Sequence, residues 1–257
     1  MLEEYIKAKL AQKEILLMTH LVIGYPSLDE SFAIVEKMVS AGVDIMELQI
    51  PFSEPIADGP VILHANQKAL AGGITVKRCL DFAQKAAAAF DIPFLFMSYY
   101  NILYKYGVKR FAETMSQRGL KGAIVPDLPP EEGTRYLEAM SDNNLDPVLI
   151  FSPATPDTRM RYLAAFGRGF MYCVARKGVT GDRTSFSDAL DRYLARCRNA
   201  TRLPLALGFG VKTKADIDFL KGRVDIAVIG TQTILQVDKE GVDSVTDFIR
   251  GLRLEAP

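Results

Sequence analysis

Eight short apolar stretches, separated by longer amphipathic ones, limit most strongly what this chain can fold into. Each stretch is mostly apolar at consecutive positions, as a strand that is buried on both faces should be. Strands of this kind that alternate with helical patterns indicate parallel β–α–β units. The predicted strands are residues 15–23, 45–50, 93–98, 122–125, 146–151, 170–174, 204–207 and 225–229.

Parallel strands with right-handed connections form either an open, doubly wound sheet or a closed barrel. Eight is the strand number of the closed form, whose usual length of about 250 residues suits this chain of 257 residues. No linker rich in proline, serine or glycine divides the sequence. We therefore predict an α/β fold, a single (β/α)8 TIM barrel with a short N-terminal helix at residues 3–12, as one domain over residues 1–257.

Amphipathic periodicity predicts helices between the strands. Clear examples are residues 31–40, 110–118, 131–140 and 188–197. Residue types that favour a helix cap or a first turn accompany these and other helical patterns. They are Asp29, Thr75, Pro130, Thr155, Pro156, Ser187 and Thr213.

The charge balance and the cysteine content argue against several classes of protein. Lysine plus arginine number 31, as do aspartate plus glutamate, so the formal charge is zero, which disfavours a general nucleic-acid binder. The three cysteines fit no zinc-binding spacing and suit a reducing compartment. No apolar run approaches the roughly 18 residues of a membrane span. We expect a cytoplasmic protein with no nucleic-acid and no membrane partner.

Glu47 is the first candidate for chemistry, because it interrupts an apolar strand. A carboxylate is costly to bury unless it has a partner or a function. Alternation places Glu47 and Gln49 on one face of the strand. If that face is the barrel interior, desolvation would raise the proton affinity of Glu47 toward general acid/base use. The alternative is a buried glutamate that bonds to a neighbouring backbone group.

The loop that follows this strand supplies a second carboxylate. Three prolines stiffen residues 51–60, and Asp58 stands directly before Gly59 in that loop. Two carboxylates near one pocket can divide the work of carbon–carbon cleavage, one moving protons while the other stabilises charge. The alternative interpretation of Asp58 is a helix cap.

Glycines after the seventh and eighth strands predict a phosphate site. Gly208 and Gly210 follow the seventh strand, and Gly230 and Thr231 follow the eighth and open a helix. Glycine lets backbone amides approach a phosphate, and barrels often bind phosphate at these two loops. Ordinary tight turns are the alternative. The basic loop 176–183, after the sixth strand, suits either a lid over an anionic substrate or a solvated mobile loop.

The remaining polar residues argue against two other routes to bond cleavage. The two histidines, His20 and His64, are far apart and lack carboxylates at matching spacing, so we expect no metal site. No lysine ends a strand as an imine-forming aldolase requires. We interpret His20 as a packed, hydrogen-bonded residue. Tyr99 and Tyr100 after the third strand are either pocket residues or packed aromatics.

Four motifs stand at the predicted loops. The first reads E-L-x-I-P-F-S-x-P-x-A-D-G-P at residues 47–60 and is highly specific. P-D-L-P at 126–129, G-V-T-G at 178–181 and G-F-G-V at 208–211 support it. In their sequence and order the motifs closely resemble the tryptophan synthase alpha subunit family, and the resemblance covers essentially the whole chain.

The resemblance implies a role for each matching residue. Glu47 matches the general acid/base, and Asp58 matches the carboxylate that holds the indole nitrogen. Thr180 matches the lid threonine that bonds Asp58 when the site closes. The implied substrate-binding residues are Tyr172, Thr180, Phe209 and Ile62, and the implied phosphate-binding residues are Gly181, Gly210, Gly230 and Thr231.

The resemblance also implies a reaction and a partner. The family cleaves indole-3-glycerol phosphate by a retro-aldol step into indole and glyceraldehyde 3-phosphate, as part of tryptophan biosynthesis and with no cofactor. Its partner is the pyridoxal-phosphate beta subunit, in a heterotetramer of two alpha and two beta chains.

Three residues depart from the family's pattern. Gln49 stands where the family usually has glycine, and His20 stands where it often has an apolar or aromatic contact to indole. Glu54 replaces the usual aspartate in a loop that meets the beta subunit. Because Gln49 and His20 both face the predicted ring pocket, we hypothesise a direct hydrogen bond between them.

Two other functions stay open at the level of sequence. Another phosphate-binding barrel, acting on a related indole or sugar phosphate, would share the last two loops but would not explain the pair Glu47 and Asp58. A module that only binds and activates the beta subunit would need differential binding rather than chemistry. Such a module has no need of Glu47.

Overall fold

A closed ring of eight parallel strands forms the centre of the protein. The computed structural model describes residues 2–174, 183–208 and 210–253. Strands pair in sequence order within these ranges, and β1 pairs with β8 to close the barrel. The strands are β1 Leu16–Val22, β2 Ile45–Gln49, β3 Phe94–Met97, β4 Gly122–Ile124, β5 Asp146–Phe151, β6 Met171–Val174, β7 Leu205–Gly208 and β8 Ile226–Ile229. The predicted (β/α)8 barrel is confirmed.

Alternation along each strand separates the barrel interior from the layer beneath the helices. On β1, Leu16 and Met18 belong to the interior apolar cluster, whereas Leu17 and Leu21 belong to the outer one. All four side chains are buried. A strand in this fold therefore has no solvent face, which explains why the predicted strands are apolar at consecutive positions.

Helices cover the outside of the barrel and connect its strands. Two helices lie between β2 and β3, and two more lie between β3 and β4. Among the described residues, no helix is both long enough and apolar enough to cross a membrane. The helices are α1 Leu2–Leu10, α2 Leu28–Ser40, α3 Pro60–Ala71, α4 Val76–Ala89, α5 Tyr100–Tyr106, α6 Val108–Gln117, α7 Thr134–Asp142, α8 Asp157–Ala164, α9 Arg183–Ala200, α10 Lys214–Leu220, α11 Thr231–Glu240 and α12 Val245–Gly251, with a 3-10 helix at Val242–Ser244.

Several predicted helix starts are confirmed. Thr75 caps α4 through its side chain, and Thr213 forms a capping box at α10. Asp29 lies in the first turn of α2, and Pro156 is the N-cap residue of α8. In each case a local side-chain or backbone preference decides where the helix begins.

Two predicted helix starts are wrong. Pro130 lies in a turn, where its carbonyl accepts a hydrogen bond of 3.1 Å from the Gly133 N–H, and α7 begins only after that turn. Ser187 lies inside α9, because the helical backbone begins upstream of the amphipathic pattern. A residue type that favours a helix N-terminus does not by itself begin a helix, because the hydrogen bonds of the surrounding backbone also decide the boundary.

The N-terminal helix fills the end of the barrel where the strands begin. Leu2 and Ile6 of α1 pack in the interior cluster with Leu16 and Phe170. The Leu2 N–H donates a hydrogen bond of 3.1 Å to Oδ2 of Asp146, the first residue of β5. This end of the barrel is therefore apolar and packed, so that inward-facing polar residues concentrate at the opposite end.

Asp44, directly before β2, joins three parts of the chain at the packed end. Its carboxylate accepts hydrogen bonds from the Leu17 N–H at 2.9 Å, from Arg253 Nη2 at 2.6 Å and from Lys13 Nζ. The Asp44 side chain is 3% exposed. The cost of burying this charge is offset only while its donors remain in place.

We expect Asp44→Asn to lower the free energy of unfolding by about 1–3 kcal/mol, because an amide cannot satisfy all three donors. Urea denaturation followed by circular dichroism measures the change. Asp191→Asn is the matched control, since Asp191 makes a single exposed ion pair with Arg223, and such pairs contribute little. Equal losses in the two variants would contradict the role of Asp44.

Candidate active site

The polar interior residues lie at the end of the barrel where the strands finish. Ile45 belongs to the interior cluster, so alternation along β2 places Glu47 and Gln49 on the same inward face. On the neighbouring strand β1, His20 is the register partner of Glu47. His20, Glu47 and Gln49 are all buried. The predicted interior position of Glu47 is confirmed.

Glu47 makes hydrogen bonds through one of its two oxygens. His20 Nδ1 lies 2.9 Å from Oε1, and because an ionised carboxylate can only accept, Nδ1 is the donor. The Tyr172 hydroxyl on β6 donates to the same oxygen at 3.5 Å. Oε2 of Glu47 is buried and has no hydrogen-bond partner among the described residues. That oxygen is the one free to meet a ligand.

Charge and burial act together on the groups around Glu47. Burial opposes the charged form of His20, but its hydrogen bond to Glu47 and the charges of Glu47 and Asp58 outweigh burial, so the pKa of His20 is raised above 6.5. Burial, with the same two carboxylates, raises the pKa of Tyr172 well above 10. Tyr172 therefore stays a neutral hydrogen-bond donor.

Asp58 is a second carboxylate with donors of its own. Gln49 Nε2 donates to Oδ2 of Asp58 at 2.7 Å, and the Tyr99 hydroxyl donates to the same oxygen at 3.0 Å. The alternative interpretation of Asp58 as a helix cap is wrong. Gly59 is the N-cap residue of α3 and has no side-chain cap. The side chain of Asp58 is used in the site rather than at the helix.

The loop that carries Asp58 is tied to its surroundings at both ends. The Phe52 N–H donates to Oδ1 of buried Asn66 at 2.9 Å. At the other end, the Ala57 N–H donates to the Tyr99 hydroxyl at 3.1 Å. The Phe52 and Tyr99 rings stack with their centroids 5.2 Å apart. These contacts, together with the prolines of the loop, fix the position of Asp58.

The hypothesised direct hydrogen bond between Gln49 and His20 stays a prediction. The two side chains do lie on the same interior surface, and their polar contact adds slightly to the raised pKa of His20. However, Gln49 Nε2 donates to Asp58, and neither Gln49 Oε1 nor His20 Nε2 has a hydrogen-bond partner among the described residues. Each of the two departures from the family's pattern therefore contacts a different carboxylate.

Two glycine loops lie side by side, where the phosphate site is predicted. Strands β7 and β8 are neighbours, with Gly208 paired to Val228, so the loops that follow them leave the same part of the rim. Gly210 has a φ of 52°, which favours glycine. Gly230 is the N-cap of α11 and makes no side-chain cap, so the first amides of that helix remain without an intrahelical acceptor. The arrangement suits an anion.

The remaining predicted contacts with substrate are not tested by the positions of the described residues. Ile62, in the first turn of α3, packs against the outer apolar cluster, so its contact with a ligand ring stays a prediction. Thr180, Gly181 and Phe209 lie outside the described residues, as does nearly all of the predicted lid loop. No group of three or more His, Cys, Asp or Glu side chains in the described ranges is placed to hold a metal ion.

Sequence reasoning missed the partners of the two carboxylates. His20 is packed and hydrogen-bonded, as predicted, but the sequence did not reveal that its partner is Glu47 across the β1–β2 pair. The sequence is compatible with Tyr99 as a pocket residue or as a packed aromatic. In the structure its side chain has both roles, since it is fully buried and its hydroxyl donates a hydrogen bond to Asp58. The register of adjacent strands is the only signal that could have joined His20 to Glu47.

The chain matches known proteins over nearly its whole length. The family profile described as tryptophan synthase alpha chain matches residues 6–252. Tryptophan synthase alpha chains from Syntrophotalea carbinolica and Desulforapulum autotrophicum are each 64% identical over 98% of this chain and 100% of their own length. A structure of Mycobacterium tuberculosis tryptophan synthase has a TM-score of 0.91 at 29% identity, covering 99% of this chain and 98% of that one. Tryptophan synthase subunit alpha from Legionella pneumophila has a TM-score of 0.90 at 25% identity, covering 98% and 96%.

Gly208 leaves room for the Tyr172 ring. A Cβ at this position would lie 2.3 Å from Cε1 of Tyr172 and 2.5 Å from its hydroxyl. We expect Gly208→Ala to push the ring away from Glu47 at a stability cost of about 0.5–1.5 kcal/mol, that of an off-rotamer side chain. A crystal structure and urea denaturation measure the two effects. Gly251→Ala is the control, because nothing lies within 4 Å of a Cβ there; an unmoved Tyr172 in Gly208→Ala would contradict the prediction.

Proposed function

Because the chain belongs to the tryptophan synthase alpha chain family, we propose that Glu47 and Asp58 are the two carboxylates with which it cleaves indole-3-glycerol phosphate. The reaction is a carbon–carbon lyase step of tryptophan biosynthesis, a retro-aldol cleavage that releases indole and glyceraldehyde 3-phosphate. What the family does not decide is which side chain of this chain performs which part of the reaction.

One observation carries the assignment. Two carboxylates lie at the same end of the barrel, each held by a separate set of donors, and Glu47 keeps Oε2 free of partners among the described residues. A group that is held through one oxygen and free at the other suits proton transfer. Asp58 accepts two hydrogen bonds at one oxygen, which holds its carboxylate in place.

The proposed chemistry uses Glu47 twice. Its Oε2 accepts the proton of the substrate hydroxyl on the carbon attached to the indole ring, and it delivers a proton to C3 of that ring. The bond between C3 and the hydroxyl-bearing carbon breaks, the hydroxyl becomes the aldehyde of glyceraldehyde 3-phosphate, and indole leaves. Protons balance, because one is taken and one is given. The electrons of the broken bond remain in the indole product, so the steps proposed here need no electron acceptor.

Asp58 and the phosphate loops supply charge stabilisation and orientation. Protonation at C3 spreads positive charge to the indole nitrogen, and a carboxylate held in place by Gln49 and Tyr99 stabilises that charge. The first amides of α11 and the loop of Gly210 are proposed to bind the phosphate, with the Thr231 hydroxyl as an added donor. Thr180, Gly181, Phe209 and Ile62 are proposed as further substrate contacts on the family resemblance alone.

The family also implies a beta subunit as partner. We propose the assembly of two alpha and two beta chains, with the loop after β2 at the interface. Ile56 supports this, since it lies between Glu54 and Asp58 and is 80% exposed, the largest exposure among the large apolar side chains described. A contact there would connect a partner directly to the loop that positions Asp58, which is a physical route for coupling the two subunits.

We expect Glu47→Gln to lower indole release by at least about a hundredfold, because an amide cannot exchange a proton with substrate. Indole release from indole-3-glycerol phosphate would be measured with the chain alone and with a matching beta subunit. Binding of a phosphate-bearing product analogue is the control and should be unchanged. Near-normal turnover of this variant would refute the assignment of Glu47.

Thr231→Ala is expected to act on binding instead. Loss of a donor to a charged phosphate costs about 1.5–3 kcal/mol, so KM should rise by roughly tenfold or more with a smaller change in kcat. Thr231→Ser keeps the hydroxyl and serves as the matched control. The phosphate assignment fails if Thr231→Ala and Thr231→Ser have the same KM as the unmodified chain.

A further inference from the structure

His20 stands in an unusual position beside the proposed acid/base. Its ring is 4% exposed, and Nδ1 donates to Oε1 of Glu47, which is itself 3% exposed. The second ring nitrogen, Nε2, is buried and has no hydrogen-bond partner among the described residues. A buried imidazole with one nitrogen on a carboxylate and the other unpaired is costly. An apolar residue would fill the same space without that cost, so packing alone does not explain His20.

We propose that His20 is a positioning residue for the proton transfers of Glu47. Its Nδ1–H fixes Oε1, so that the proton from the substrate is taken up at Oε2, and its positive charge makes the carboxylic acid formed there a better proton donor to the indole ring. The proposal rests on the function assigned to Glu47. Protons balance as before, because the Nδ1 proton stays on His20 throughout.

The position of His20 determines how its charge acts on the carboxyl group of Glu47. A charge 2.9 Å from one oxygen of a carboxyl group acts strongly, because little water separates them in a buried site. When Glu47 is ionised, the imidazolium stabilises it through the charge-assisted hydrogen bond. When Glu47 holds a proton, the same imidazolium favours its release. His20 therefore assists the step in which a proton moves from Glu47 to carbon.

The groups around His20 favour its charged form. Glu47 on β2 and Asp58 on the following loop are both anionic, and Tyr172 on β6 is neutral because its pKa is raised well above 10. Tyr25, in the loop after β1, lines the same small cavity as His20. The Tyr25 hydroxyl donates to Asp238 of α11, and its own pKa is raised to about 12. The described side chains that act on the charge of His20 are Glu47, Asp58 and Gln49, and none of the three is cationic.

A pH dependence follows from the charge of His20. The pKa of His20 is higher in the folded protein than the value of about 6.5 for an unperturbed histidine. The ion pair with Glu47 is therefore complete below about pH 6.5 and is lost as the pH rises through the pKa of folded His20. Cleavage should weaken over that same upper range, while substrate affinity is retained.

Two variants separate positioning from charge. His20→Asn keeps an N–H near the place of Nδ1 but does not titrate, whereas His20→Phe removes both the hydrogen bond and the charge. We expect kcat for indole release to fall by about tenfold or more in His20→Phe and by less in His20→Asn. The upper limb of the kcat profile against pH should disappear in both variants, with KM little changed.

A second measurement does not depend on turnover. The sequence contains two histidines, so His64→Gln leaves the imidazole signals of His20 alone in a nuclear magnetic resonance titration. We expect His20 to titrate above about pH 6.5, and Glu47→Gln in the same background to lower its pKa by about one unit or more. Titration of His20 below pH 6.5, or a value that Glu47→Gln leaves unchanged, would overturn the proposal.

The kinetic outcomes distinguish this proposal from the assignment of Glu47. If Glu47→Gln abolishes cleavage while His20→Phe keeps both the rate and the pH profile of the unmodified chain, His20 is a packing residue and Glu47 keeps its role. If both His20 variants lose activity equally and the pH profile is unchanged, His20 acts only by holding shape, which also overturns the proposal. Near-normal turnover of Glu47→Gln would instead refute the function on which the inference rests.

Discussion

Closure of the parallel sheet is the constraint on which the rest of the molecule depends. Because β8 pairs with β1, no strand has an unpaired edge, and all eight strands end on the same rim. The inward faces of Leu16, Ile45 and Phe170, near the other end, form one apolar plug with α1. Apart from Asp146, which accepts the hydrogen bond of the Leu2 N–H, the buried polar residues of the interior lie near the rim. His20, Glu47 and Tyr172 converge there from different strands without being near one another in sequence.

The site contains three neighbouring side chains that each have a buried polar atom without a partner among the described residues. Glu47 Oε2, His20 Nε2 and Gln49 Oε1 are three buried polar atoms that have no partner among the described residues, and they belong to adjacent side chains. Each such atom costs about 1–3 kcal/mol. Three such atoms on neighbouring side chains are polar groups ready for a ligand, since a ligand can restore the missing hydrogen bonds. The unpaired atoms therefore support the site more strongly than the carboxylates alone.

The two carboxylates are controlled by different means. Glu47 belongs to a strand, and its neighbours come from β1 and β6, so its position follows from strand register. Asp58 belongs to a loop, and its position follows from Gln49, Tyr99 and the anchoring of the loop by Asn66. A strand position is rigid, whereas a loop position can respond to a partner surface. This division places the proposed proton-transfer group in the rigid part and the proposed charge-stabilising group on the loop of exposed Ile56.

The sequence by itself determined the barrel, its strand bounds to within one residue, and the candidate carboxylates. It did so because strands buried on both faces leave continuous apolar runs, in which Glu47 is conspicuous, and because the motif around Asp58 is specific. Only the tertiary structure decided what those carboxylates touch. The His20–Glu47 contact depends on the register of two strands, and the Gln49–Asp58 and Tyr99–Asp58 contacts depend on how a loop folds back over the rim. Neither is encoded in local periodicity, so the sequence placed Gln49 and His20 on one surface without revealing which carboxylate each of them contacts.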